Sequence, residues 1–552
     1  MQLWFSIVLS ASLFCRADCA VLDANTDSIT VSTVVGYGAL FVTPLIFMFL
    51  GFIKSQGKGR QTVDSFALAD RSFTWLTGSL VMISTWICTG YLFGSAESVV
   101  TPGRGLLWTQ APWAFSISFI VNSFLFCEQL REKDMITFLD PLTEKFGGPI
   151  TPFLYIASLV GDITWISMLV HCLGLFVAIL VGADRTVAVS YVCICCILVS
   201  VVRGMFSLKY AGVAEFIVML VSVIVAFPFI ATSNSVGSLF SHRDLWLGTI
   251  DSGEWGEWLD ETLLIVFGGT CWQVYFQQML SCNSIEASRT MSLLSSIGTF
   301  FFGLLACLMG MFASTVDWTT IPAVGSLDQK EGNVMCYVLK YFLPTLPRAL
   351  SIAGIVATIM GSFSGAIHSS ATVFVLNVYR EFRPQASDQE CVFTLRLFIV
   401  LVAVAGVGAS RYMGSVYRSW VFTSELMFLF VFPQLLLAIW FSKHVNVYGA
   451  IAAFVVGVAL RLGVSWGREA AWGPRFLPFR TMVVVVEIGG EVVVSWVFWY
   501  LIARKNYSCL DCLHAFTQQS FRKSKRGSKG LKGSKGSKGS KGSKGSGEAG
   551  SL

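Results

Sequence analysis

Apolar runs of about 20 residues, each long enough to cross roughly 30 Å of hydrocarbon as a helix, recur from one end of this chain to the other. Lipid offers no hydrogen-bond partner to backbone N–H and C=O groups, so runs of this length predict a helical bundle and not a barrel. The 552 residues are 54% hydrophobic and 13% charged, with a mean hydropathy of +0.68, which argues against a soluble protein. The reading is therefore an all-α integral membrane protein with about thirteen spans. They fall near 32–53, 74–97, 106–127, 150–180, 187–206, 211–231, 258–280, 290–314, 347–378, 391–410, 417–442, 447–464 and 481–503.

The segments outside the expected transmembrane domain (32–503) have their own character. Residues 1–20 have a short apolar core followed by small residues near Ala17 to Ala20, as in a cleavable signal peptide, although the first residues lack Lys and Arg; an uncleaved anchor is the other reading. Cleavage would leave 21–31 as a short extracellular N-terminus. Basic residues follow the first span (Lys54, Lys58, Arg60, Arg71), the third (Arg131, Lys133, Lys145) and the ninth (Arg380, Arg383), which places these loops and the C-terminus in the cytoplasm of a plasma-membrane protein. From 504 to 552 the chain becomes a Lys/Gly/Ser repeat with nothing to bury, expected to be disordered. Its charge suits anionic lipid headgroups better than nucleic acid.

Motifs for chemistry are scarce. "GFIKSQGKGR" has neither the glycine spacing nor the Ser/Thr of a phosphate loop, and no H-E-x-x-H or G-x-S-x-G occurs. His171 and His368 are isolated within spans, and Cys509 and Cys512 form a lone C-x-x-C that no second pair completes into a zinc site. No enzyme and no cofactor is expected. What remains are acidic residues in or at the ends of apolar runs: Glu97, Asp162, Glu215, Glu425, Glu487 and Glu491. Such groups default to pathway or coupling roles, though Glu97 and Glu215 could simply reach interfacial water.

Two spans carry glycine beside tryptophan in mid-run: "STWICTG" (84–90) and "FGGTCWQVYF" (267–276). Transporters built as inverted repeats hold their ligand at the midplane between two interrupted helices. If the repeat is five helices, spans two and seven begin the two halves. On that reading Gly90, Gly268 and Gly269 permit the breaks, while Trp86 and Trp272 face the cavity, with Trp165 and Phe115 able to complete an aromatic box. A cation within about 6 Å of an indole face gains on the order of 0.5 to 2 kcal/mol per ring, which suits a quaternary ammonium. The competing reading makes these tryptophans interfacial anchors.

These stretches, with "TFLDPL", "WLGTIDS", "QASDQE" and "YGAIAAFVVGVALRLG", resemble the sodium:solute symporter family, in particular its choline-transporting branch, in order from about residue 65 to residue 500. The resemblance implies a LeuT-like five-plus-five inverted repeat and a choline box at Trp86, Trp165 and Trp272, with Phe115 in place of a tyrosine. It also implies a sodium ion held by carbonyls near Leu80 and Ile83, by the Thr358 carbonyl and by two serines, which here read Gly361 and Ser362. Ser364, Gly365 and Ala366 stand where the branch has an aspartate and two serines. Sodium needs about five or six oxygens, so these replacements weaken the site.

The function expected is import of choline or a related quaternary amine by alternating access, with Na⁺ as coupling ion through a degraded site. The alternatives are a carrier of another organic cation or solute without sodium coupling, and a transport-dead sensor or channel-like relative.

Overall fold

The structure is a computed structural model that describes residues 27–53, 62–147, 150–321, 333–469, 476–505 and 507–513. The expected signal peptide (1–20), the first part of the loop after the first span (54–61) and the Lys/Gly/Ser repeats lie outside the described residues. The only strand-like pairing found among them is an isolated bridge between Phe73 and Cys282.

The principal helices are α1 (Asp27–Ile53), α2 (Trp75–Trp86), α3 (Thr89–Val100), α4 (Ala111–Leu125), α5 (Thr151–Phe176), α6 (Arg185–Arg203), α7 (Met205–Ala231), α8 (Trp255–Gly268) and α9 (Gln273–Leu280). They continue with α10 (Ile285–Ser314), α11 (Val334–Phe342), α12 (Thr345–Val373), α13 (Asp388–Ala409), α14 (Val416–Phe430), α15 (Phe432–Trp440), α16 (Val447–Glu469) and α17 (Phe479–Trp499). Side-chain caps set several starts: Thr74 Oγ1 accepts the Thr77 N–H at 3.2 Å, Ser284 Oγ that of Ala287 at 3.0 Å, and Ser415 Oγ that of Arg418 at 3.2 Å.

Among the described residues, nine helices are long and apolar enough to cross a membrane, or ten when the bent pair α2/α3 counts as one. The other three expected spans meet shorter pieces: α4 with 15 residues, the α8/α9 pair with 14 and 8, and the apolar stretch Val447–Gly463 of α16. The expected thirteen crossings are therefore not established as a count.

The packing repeats itself across the two halves. α7 lies against α12 as α14 lies against α5; α2 packs on α7 as α8 packs on α14; α4 meets its counterpart α10. The first two pairs each join the third helix of one half to the fifth helix of the other. α12 runs through the centre, with 89% of its apolar window buried against 28% for α7 and α17.

Candidate substrate site

The site begins with the break between α2 and α3, a bend of 54°. The Ile87 N–H still donates to the Ile83 carbonyl at 2.9 Å, but the Cys88 N–H turns to the Trp86 carbonyl at 2.8 Å. The ladder is released at Ser84. Cys88 Sγ then caps α3 by accepting the Tyr91 N–H at 3.2 Å. The residues that bend are Ile87 (φ −74°, ψ 73°) and Cys88 (φ −84°, ψ 167°), and neither needs glycine.

The expectation that glycines make the breaks is corrected here. A Cβ on Gly90 would overlap Met168 of α5, one on Gly268 would overlap the Ser424 carbonyl of α14, and one on Gly269 would overlap Ser118 and come within 2.9 Å of Phe115 Cδ1. Gly269 has an ordinary φ of −63°. These glycines permit close approach to neighbouring helices; they do not supply unusual backbone angles.

Trp86 ends α2 and Trp272 precedes α9, so each break carries an indole at its edge. The rings converge. Trp86 meets Phe115 of α4 at 5.3 Å between centroids and Trp165 of α5 at 6.0 Å, and Trp165 meets Trp272 at 5.4 Å, all near edge-to-face. All four are 1–4% exposed, whereas Trp75, Trp440, Trp496 and Trp499 are 47–59% exposed at the periphery. The anchoring reading fits the second group and not the first. The Nε1–H groups of Trp86 and Trp272 are buried without a hydrogen-bond partner among the described residues. Asp162, one turn before Trp165 and 1% exposed, faces Ser370.

Two rings of the cluster were not anticipated. Trp420 of α14 stacks on Phe115 at 4.5 Å, and Phe119 meets Trp86 at 5.0 Å. Phe119 sits four residues after Phe115, hence on the same helix face, which the sequence could have given. Trp420 had no such signal, because its helix starts the last element of the second half and nothing local ties it to the breaks.

Side-chain hydrogen bonds tie together the helices around the rings. In one group Ser415 Oγ donates to Glu97 Oε1 at 2.5 Å, Tyr417 donates to Glu261 Oε1 at 2.8 Å, and Gln110 Nε2 donates to the Trp258 carbonyl at 2.9 Å. In another, Gln277 Nε2 donates to the Ala67 carbonyl at 2.7 Å and the Phe138 N–H to Gln273 Oε1 at 3.0 Å.

The positions that resemblance assigned to sodium lie where α2 and α12 meet. The Ile83 carbonyl accepts from Ile87; Leu80 lies within the continuous part of α2; Ser362 Oγ donates to the Thr85 carbonyl at 2.6 Å; Thr358 Oγ1 donates to the Ile355 carbonyl at 2.8 Å. A Cβ on Gly361 would lie 2.8 Å from Glu215 Oε2 and 3.1 Å from the Ser84 carbonyl. A methyl on Gly365 would press on Thr85 Cγ2 at 2.6 Å. Glu97 and Glu215 do not reach interfacial water: they are 5% and 4% exposed. Glu215 was misjudged because α7 starts at Met205, six residues before the expected 211, which carries the carboxylate two further turns inward. Glu425 is paired with Arg461 and Arg480, and Glu487 and Glu491 are buried on α17.

Comparison with known proteins places this geometry. A sequence model of the sodium:solute symporter family matches residues 66–457. The chain is 28% identical over 500 residues to the high affinity choline transporter 1 of Homo sapiens, covering 85% of this chain and 86% of that one. It is 28% identical over 484 residues to its counterpart in Drosophila melanogaster (84% and 78% covered) and 23% identical over 412 residues to sodium/glucose cotransporter 4 of Danio rerio (67% and 62%). Among solved structures it is similar to the substrate-bound, outward-open state of a Na⁺-coupled sialic acid symporter, with a TM-score of 0.71 at 14% identity, covering 84% of this chain and 98% of that chain. That likeness gives the LeuT-like fold.

Proposed function

Because this chain belongs to the sodium:solute symporter family, we propose that it imports a quaternary amine, choline in the first instance, by alternating access. The observation that carries the reading is the run of ring contacts from Phe115 through Trp86 and Trp165 to Trp272, drawn from both halves of the repeat and buried beside the two helix breaks. A trimethylammonium group donates no hydrogen bonds, so polarisable ring faces suit it better than hydroxyls do. Each ring adds roughly 0.5 to 2 kcal/mol, more as water is excluded. The unpartnered indole N–H groups suit a guest that also carries a hydroxyl, since an alcohol oxygen can accept from one of them.

In this reading the aromatic residues hold the cation, while α3, α8 and α14 form the outer closure and the Gln273–Gln277 face of α9 the inner one. Binding favours the occluded state, and opening of the inner closure releases the amine to the cytoplasm. Cation coupling is part of the proposal. Sodium is the family's ion, and the replacements at Gly361, Gly365 and Ala366 are the reason to test it here.

The test is uptake of labelled choline by proteoliposomes holding the purified chain. Saturable uptake that other quaternary amines compete, and whose apparent choline affinity Trp86→Ala and Trp272→Ala each lower roughly 2- to 30-fold, is expected. Folded protein that takes up no choline under any ion gradient contradicts the reading.

A further inference from the structure

Residues other than glycine wind to the left only occasionally, and then singly, because their Cβ crowds the following carbonyl oxygen. Three in succession do so here: Ala69, Asp70 and Arg71 have φ of 49°, 51° and 52°. They form a left-handed turn between the short helix Val63–Leu68 and α2, closed by the Ser72 N–H, which donates to the Ala69 carbonyl at 3.2 Å. No glycine sits among them to remove the crowding. Backbone held in this region at consecutive residues persists only where its surroundings impose it.

The surroundings are a seam between the first helices of the two halves. Before the turn, Gln277 Nε2 of α9 donates to the Ala67 carbonyl at 2.7 Å. After it, the Phe73 N–H donates to the Ser281 carbonyl at 3.0 Å and the Asn283 N–H to the Phe73 carbonyl at 2.9 Å. Between these, Arg71 spreads its guanidinium over three carbonyls: Nη1 donates to Leu280 at 3.2 Å, and Nη2 to Asp134 at 2.8 Å and to Met135 at 3.2 Å. A planar fork of five N–H groups suits that task; the compact ammonium of a lysine does not reproduce it. From α7, Lys209 Nζ donates to the Ser72 carbonyl at 2.8 Å. The chain therefore meets α9 on both sides of the turn, and Arg71 ties it down in the middle.

We propose that Arg71 is a positioning residue that clasps the turn in its left-handed form while the inner closure is shut, and that the turn relaxes to the right-handed form when the closure opens. The crowded backbone then favours opening, and the guanidinium bonds oppose it. Two opposed terms of this kind keep the closed state from becoming too deep to leave. The link to release of a substrate rests on the alternating-access reading above; the wound turn and its clasp do not.

The test uses two native cysteines of the purified full chain, without substrate. Cys282, 0% exposed, lies in the seam; Cys307, 2% exposed, packs against Val99 at the far end of α3 and reports general unfolding. Each is followed by thiol labelling and mass spectrometry. Arg71→Lys is expected to speed labelling of Cys282 and to leave Cys307 unchanged. Asp70→Gly removes the crowding at an exposed residue, and with it one hydrogen bond from Ser65 at 3.3 Å. It is expected to slow Cys282 roughly 5-fold, the low end of what one left-handed residue costs. Asp70→Ala loses the same bond and keeps a Cβ, so it is expected not to slow Cys282, and Asp70→Gly combined with Arg71→Lys is expected to return it toward the native rate. Unchanged Cys282 labelling in Arg71→Lys overturns the clasp, as does equal acceleration of Cys282 and Cys307. Equal rates for Asp70→Gly and Asp70→Ala overturn the stored strain. The expected labelling in a protein that takes up no choline upholds the clasp and removes choline instead.

Discussion

Gly361 stands where the resemblance implies a sodium-ligating serine, and the space it leaves is narrow. A serine there would place its Cβ 2.8 Å from Glu215 Oε2, so the carboxylate has to move before the new hydroxyl can serve as an ion ligand. Gly361→Ser, once that carboxylate has moved, is expected to raise the advantage of sodium over lithium, measured as initial choline uptake in matched gradients. At the rings the arithmetic is simpler. Trp165 touches both Trp86 and Trp272, so Trp165→Ala removes the bridge between the halves. Loss of about 0.5 to 2 kcal/mol per ring corresponds to choline binding weakened roughly 2- to 30-fold, with Trp165→Phe closer to the native value; equilibrium binding to purified protein checks both.

Helices carry the closure. Glu97, near the end of α3, accepts Ser415 Oγ–H at 2.5 Å and the Val416 N–H at 3.2 Å, and so holds the first turn of α14. Charge at a helix N-terminus strengthens such bonds. Glu97→Gln is expected to loosen this contact and raise the outward-open population, read as faster labelling of Cys88, now 1% exposed beside the break, by an external thiol reagent followed by mass spectrometry. The glycines belong to this scale as well. Gly268→Ala forces a methyl onto the Ser424 carbonyl, which as backbone cannot step aside, and a cost of about 1–3 kcal/mol is expected as a lowered thermal midpoint in detergent. Of these elements the sequence made the spans and both interruptions legible, because glycine and tryptophan inside an apolar run are visible locally. It misplaced the agent of each break: whether a glycine bends its own helix or admits a neighbour depends on residues such as Met168 and Ser424, remote along the chain.

Over the whole molecule, hydropathy was enough to give helices in lipid, and the spacing of two similar interruptions was enough to suggest the repeat. The recurring pairs, α7 with α12 and α14 with α5, bear out that arrangement. The candidate site was readable only where chemistry was unusual for its setting. Four aromatic positions stood out for that reason, while Trp420 became a neighbour through tertiary packing alone. The helices after the repeat are bound to it by charge: Arg480 of α17 meets Asp260 of α8 at 3.5 Å and Glu425 of α14 at 3.3 Å. The central claim is that ring faces from both halves select a positive charge, not merely a shape. The most direct measurement compares binding of choline with that of 3,3-dimethyl-1-butanol, in which a neutral carbon replaces the nitrogen at nearly the same size. Choline that binds while the alcohol does not, with the difference lost in Trp165→Ala, is the expected result; equal affinity for the two would contradict the account.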